Sequence, residues 1–181
     1  MMDYRLLRSR RKTLAIEITP RGELLVRAPL RLSKKEIEKF LVSRADWIEA
    51  HLARLPAVTP LTQSEHAALI RTAKDVLPGK VRFYAERIGV TYGRISVRSQ
   101  HSRWGSCSAA GNLNFNCLLM LAPEPVQDYV VVHELCHRKE MNHSPRFWTE
   151  VESILPGFRM QKKWLKENGS ALLSRLPDAQ K

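Results

Sequence analysis

The residues of this chain best suited to chemistry lie in Val130-Val131-Val132-His133-Glu134-Leu135-Cys136-His137, with His143 six residues further on. Each residue of a helix advances by about 100°, so His133 and His137 point about 40° apart, one turn above the other, and Glu134 sits on the flank about 60° from His137. Two imidazoles stacked in this way can hold one Zn²⁺, and the carboxylate beside them reaches a water at the ion without ligating it. That chemistry is metal-assisted hydrolysis: the ion lowers the pKa of the water and the acid takes its proton. A catalytic zinc takes three protein ligands and keeps a fourth position open. His143, just ahead of a helix start at Ser144-Pro145, is the favoured third ligand, and Glu150 and Glu152 on the following helix are its rivals.

The element that must carry this group is a helix. Val130, Val131, Val132 and Leu135 cover most of its circumference, which predicts a path through the interior. Pro123-Glu124-Pro125 opens it, with Glu124 and Asp128 near its positive end. The chain is expected to leave it near Met141-Asn142, with Asn142 taking a left-handed turn that brings His143 back to the metal. Cys136 lies off the ligand line and reads as a small core residue.

Before this helix the hydrophobic period is two. Ile95 and Val97 alternate, Ser106–Ser108 reads as a strand, Ala109-Ala110-Gly111 as a turn, and Leu113 and Phe115 alternate with Asn112, Asn114 and Asn116. A short antiparallel sheet results, and a substrate peptide could add to its edge by backbone hydrogen bonds. Arg103, Trp104, Asn114 and Asn116 are candidates for a substrate cleft, Arg103 also as a donor to the oxyanion, although Trp104 fits a core position as well. Thr62-Gln63-Ser64-Glu65 is a capping box for a helix that Pro78-Gly79 breaks or kinks and Gly89 stops; His66 reads as a surface residue. After His143, one helix carries Phe147, Trp148, Val151 and Ile154 up to Pro156-Gly157. A last one carries Trp164 and Leu165; Gly169 is expected to end it, and the tail from Leu176 to fray.

The amino-terminal part differs in kind. Leu14, Ile16 and Ile18, a turn at Pro20-Arg21-Gly22, then Leu24 and Val26 describe a β-hairpin, with an earlier strand at Tyr4–Leu7. Ser33-Lys34-Lys35-Glu36 opens a helix on which Ile37, Phe40, Leu41, Trp47, Ile48 and Leu52 share a buried face. The segment Leu55-Pro56-Ala57-Val58-Thr59-Pro60 reads as a linker. The expected organisation is an α+β protein with a hairpin-and-helix module over 1–55 and a second domain over 61–175.

Composition narrows the classes. Charged residues make up 27% and hydrophobic ones 44%, as in an ordinary globular protein. No apolar run is long enough to cross a bilayer and no signal peptide is recognisable, so no membrane partner is expected. Three cysteines without CxxC spacing argue against a disulfide framework and for the cytoplasm. A net charge of +12 is compatible with nucleic acid bound through a basic surface, although only Arg8-Ser9-Arg10-Arg11-Lys12 is a true cluster.

Arg103-Trp104-Gly105-Ser106-Cys107, Asn114-Phe115-Asn116, Val131-Val132-His133-Glu134-Leu135-Cys136-His137 and Asn142-His143-Ser144-Pro145-Arg146-Phe147-Trp148 together resemble the YgjP-like metallopeptidases, a zincin family similar to the WLM and SprT-like proteases. The resemblance extends to Arg8–Thr13 and Leu32–Glu36, and departs from the family in a shorter centre than many relatives have. It implies a zincin-like domain with a central HExxH helix, one Zn²⁺ per chain on His133, His137 and His143, Glu134 as general base, and a protein or peptide substrate. Two alternatives remain at this point: a protease associated with DNA, as SprT-like proteins are, or a zinc-stabilised nucleic-acid-binding module without catalysis.

Overall fold

The computed structural model describes residues 3–55 and 58–177. Pro56 and Ala57, at the centre of the expected linker, and the last residues of the tail lie outside the described residues. The protein is mixed α+β and divides into two compact units, Met1–Thr59 and Pro60–Lys181.

The first unit holds a three-stranded sheet of β1 (Arg5–Ser9), β2 (Ala15–Ile18) and β3 (Leu24–Pro29) in the order β1-β3-β2. β2 and β3 are antiparallel, with Ile16 opposite Val26. β1 pairs with β3 in parallel, Leu6 opposite Val26. Two helices follow, α1 (Lys34–Val42) and α2 (Ala45–Leu52), where one was expected from a continuous apolar spacing. Ser33 and Glu36 form the reciprocal capping box that starts α1. The break falls at Ser43-Arg44, where the Ser43 hydroxyl donates to the Phe40 carbonyl and Arg44 leaves helical geometry. The break also turns Trp47 outward: it is 41% exposed and lies against His51, not in the core where the spacing had put it. Leu24, Val26, Ala28, Ile37, Leu41 and Ile48 form the core of this unit. Ile37→Val, which removes one buried methyl group there, is expected to lower stability by about 0.5–1.5 kcal/mol, read as a lower urea midpoint at unchanged slope.

The second unit opens with α3 (Gln63–Ile88), capped by Thr62 and Glu65 and ended by Gly89 in the left-handed conformation. Pro78 does not divide it: Ala73, Leu77, Val81, Tyr84, Ala85 and Ile88 lie buried on one side, so packing holds both halves in one helix despite the lost hydrogen bond. Next come β4 (Ile95–Arg98), β5 (Gly105–Cys107) and β6 (Leu113–Asn116), a 3₁₀ turn over Cys117–Leu121, and α4 (Glu124–Cys136). The sheet order is β4-β6-β5, with β4 parallel to β6 and β5 antiparallel to it, so the sheet is mixed where a purely antiparallel one was expected. The unit closes with α5 (Pro145–Ile154) and α6 (Arg159–Leu173).

Two further expectations fail for identifiable reasons. Gly169 does not end α6: it is buried inside the helix, and a Cβ there would stand 3.1 Å from the Trp104 indole nitrogen. The glycine is needed for close approach, not for termination. Leu176 is not frayed but buried in the core, and Leu61 N–H donates to the Arg175 carbonyl at 2.8 Å, tying the start of the unit to its end. Among the described residues, no helix is long and apolar enough to cross a membrane.

Candidate metal centre

α4 runs through the middle of the second core. Val126, Tyr129, Val130, Val131, Val132, Leu135 and Cys136 are all buried, so both faces of the helix are packed and its carboxyl end is held rigidly. Lys80 on α3 reinforces the other end, pairing with Asp128 at 2.7 Å and Glu124 at 2.9 Å. The helix stops earlier than expected. His137 is its C-cap, and the chain turns through Arg138–Glu140 with Glu140 N–H donating to the Cys136 carbonyl. Asn142 is not left-handed, since only glycines have positive φ among the described residues. Its Oδ1 instead accepts from the Ser144 N–H at 3.0 Å, a local turn that needs no left-handed residue. Ser144 then caps α5, and His143 is fixed between that turn and the cap.

This path brings His133, His137 and His143 together. One nitrogen from each can be chosen so that all lie within 4.8 Å of one another. Nε2 of His133 and Nε2 of His143 face each other at 3.0 Å. Two ligands each about 2.0–2.1 Å from a tetrahedral zinc stand roughly 3.3 Å apart, so this pair is already near the spacing a shared ion requires. His137 donates its Nδ1 proton to the Glu140 carbonyl at 3.0 Å, which leaves the Nε2 lone pair for the centre. Burial, and then the neighbouring His137 and His143, drive His133 down to about 3, and burial lowers His143 as well. Unprotonated imidazoles are the form that binds a metal, so the donor set fits a divalent ion. The rivals from α5 are occupied elsewhere: Glu150 pairs with Lys139 and Glu152 with Arg159.

Phe147 was not recognised from the sequence as part of this site. Its ring lies 4.9, 4.6 and 4.8 Å from the rings of His133, His137 and His143, so one buried phenyl supports all three imidazoles. The signal was its place on the first turn of α5 after His143, but phase alone does not reveal which side of a neighbouring helix it meets. Trp148 extends the aromatic wall, its indole stacked on His143 at 5.5 Å and on Phe158 at 5.3 Å.

Glu134 is buried on the flank, against β5. Burial pushes its carboxyl up to about 8, and the Arg103 charge pulls the other way. Gly105 makes room for it: a Cβ at that position would stand 2.7 Å from both Cγ and Oε1 of Glu134. The four cleft candidates divide. Arg103 is exposed and acts on Glu134 through its charge. Trp104 is half-buried against Gly169. Asn114 donates across the strands to the Ser106 hydroxyl. Asn116 is 1% exposed: its amide donates to the Gln100 and Arg103 carbonyls and accepts from the Leu118 N–H, so it braces the segment that carries Arg103 from behind.

The model of the YgjP-like family, metallopeptidase domain, matches residues 12–68 and 60–168. Two solved structures of metallopeptidase zymogens are similar to about half of the chain. Abylysin of Pyrococcus abyssi is 21% identical, with a TM-score of 0.46 over 51% of this chain and 94% of that one. Jannalysin of Methanocaldococcus jannaschii is 20% identical, with a TM-score of 0.43 over 51% of this chain and 93% of the other. None of the curated proteins matches.

Proposed function

The chain belongs to the YgjP-like metallopeptidase family, and from that premise we propose that it is a zinc-dependent peptidase with a zincin-like second unit, one ion on His133, His137 and His143, and Glu134 as general base. The observation that carries the reading is the convergence of the three imidazoles beside a buried carboxyl. A zinc ion held by them supplies Lewis-acid chemistry, lowering the pKa of a water and polarising a carbonyl.

The protein's own groups do the rest. Glu134 takes the proton of the attacking water as its oxygen bonds to the peptide carbon, and passes that proton to the leaving amine as the C–N bond breaks. Burial raises the proton affinity of the Glu134 carboxyl, which is the direction that favours taking a proton from water. β5 is an edge strand beside Glu134, and an extended peptide that adds to its outer side lays its backbone across the site. Phe147 and the C-cap turn hold the imidazoles in place, so little rearrangement accompanies the reaction.

The test is cleavage of an unfolded, casein-like protein by zinc-reconstituted enzyme. Activity lost to a chelator and restored by zinc supports the reading. Protein that holds one zinc and cleaves nothing favours a purely structural metal. Gly105→Ala gives a finer check. The added methyl displaces the Glu134 side chain, and a misplacement of about 1 Å in a catalytic group costs up to roughly 100-fold. Peptidase activity is therefore expected to fall by about 10- to 100-fold, with zinc content and circular dichroism unchanged.

A further inference from the structure

Lys162 is a cation at this site that the hydrolytic chemistry leaves unused. It projects from α6, exposed, with its ammonium 3.8 Å from the centre of the Trp148 indole. That indole stacks on His143, the planes 21° apart, and lies 5.8 Å from the His133 ring. The ammonium therefore stands at the rim of the imidazole cluster, anchored on the aromatic wall.

Its charge is unanswered. Among the described residues no carboxylate pairs with Lys162: Glu150 is taken by Lys139, Glu152 by Arg159, and Glu167 by Lys163. One turn away stand Phe158, the N-cap of α6, and Arg159, Leu165 and Lys166 within it, none of them acidic. A cation–π contact holds an ammonium without neutralising it. The three imidazoles offer it no negative charge, so an exposed ammonium in this position attracts an anionic group of a bound peptide. The net charge of +12 acts in the same direction over longer range.

We propose that Lys162 determines specificity by pairing with an acidic side chain that flanks the scissile bond of the substrate. The proposal rests on the peptidase reading and deepens it by naming acidic peptides as the preferred class.

The experiment uses full-length, zinc-loaded protein and peptide pairs that differ only by Glu or Gln at one of the two positions on either side of the cleaved bond. At one of these positions kcat/KM is expected to favour Glu by about fivefold, the worth of one exposed ion pair. That ratio should fall to about one in Lys162→Met and invert in Lys162→Glu. The same pairs are titrated by fluorescence anisotropy against Glu134→Gln protein with Lys162 intact or replaced by Met, and the ratio of dissociation constants should follow the same course. Equal cleavage of both members, or a Glu preference that survives Lys162→Met, overturns the assignment. If no peptide is cleaved while the Lys162-dependent binding preference remains, the pairing with an acidic side chain stands, its place beside a scissile bond does not, and the peptidase reading falls. Equal binding without cleavage removes both.

Discussion

Glu134→Gln protein is expected to lose peptidase activity by about 10²–10⁴-fold, the usual worth of a general base, while it retains one zinc per chain. Glutamine has the size of glutamate and fits the space that Gly105 leaves open, so the fold is not disturbed. What disappears is the carboxylate proposed to take a proton from water. The three nitrogens that can share an ion belong to other residues, so metal content measured by elemental analysis should not change. Loss of zinc together with activity would make Glu134 a ligand and overturn its role as base. Unchanged activity would move the proton transfer to another residue.

The second large effect is expected at His143. His143→Ala removes one of three imidazoles from the edge of the cluster, where the side chain is exposed and contributes little to the core. Partners that merely orient a ligand are worth about 10- to 100-fold in metal affinity; loss of a ligand itself should exceed 100-fold on that scale. Competition against a chromophoric chelator measures this directly. Glu150→Ala and Glu152→Ala should leave zinc affinity within about twofold, because their carboxylates are engaged by Lys139 and Arg159, and a surface ion pair carries little energy beyond its own contact. If Glu152→Ala removes the metal and His143→Ala does not, the donor set proposed for this site is wrong.

What was legible in the sequence follows the range of the interactions involved. The His133–His137 pair could be read because four residues on a helix fix a direction, and the capping residues Ser33, Thr62 and Ser144 could be read because a cap is a local hydrogen bond. The parallel pairings of β1 with β3 and of β4 with β6 were missed, since alternation reports which residues face inward but not which strand lies alongside. Asn116 looked like a cleft residue because it alternates with Phe115, yet its amide is consumed by three backbone groups, two of them more than ten residues away. Gly169 was read as a stop because glycine weakens helices; the indole that requires it comes from Trp104, 65 positions earlier in the chain. Phe147 belongs to the same class, its role set by the crossing of two helices and not by its own neighbours.

The bond between Leu61 and Arg175 has a consequence for how the second unit can be handled. Leu61 and Arg175, near the two ends of the unit, lie side by side, so the piece resembles a cassette whose ends meet. Splicing it into an exposed loop of an unrelated carrier, or joining its ends and reopening it elsewhere, would demand little chain entropy for closure.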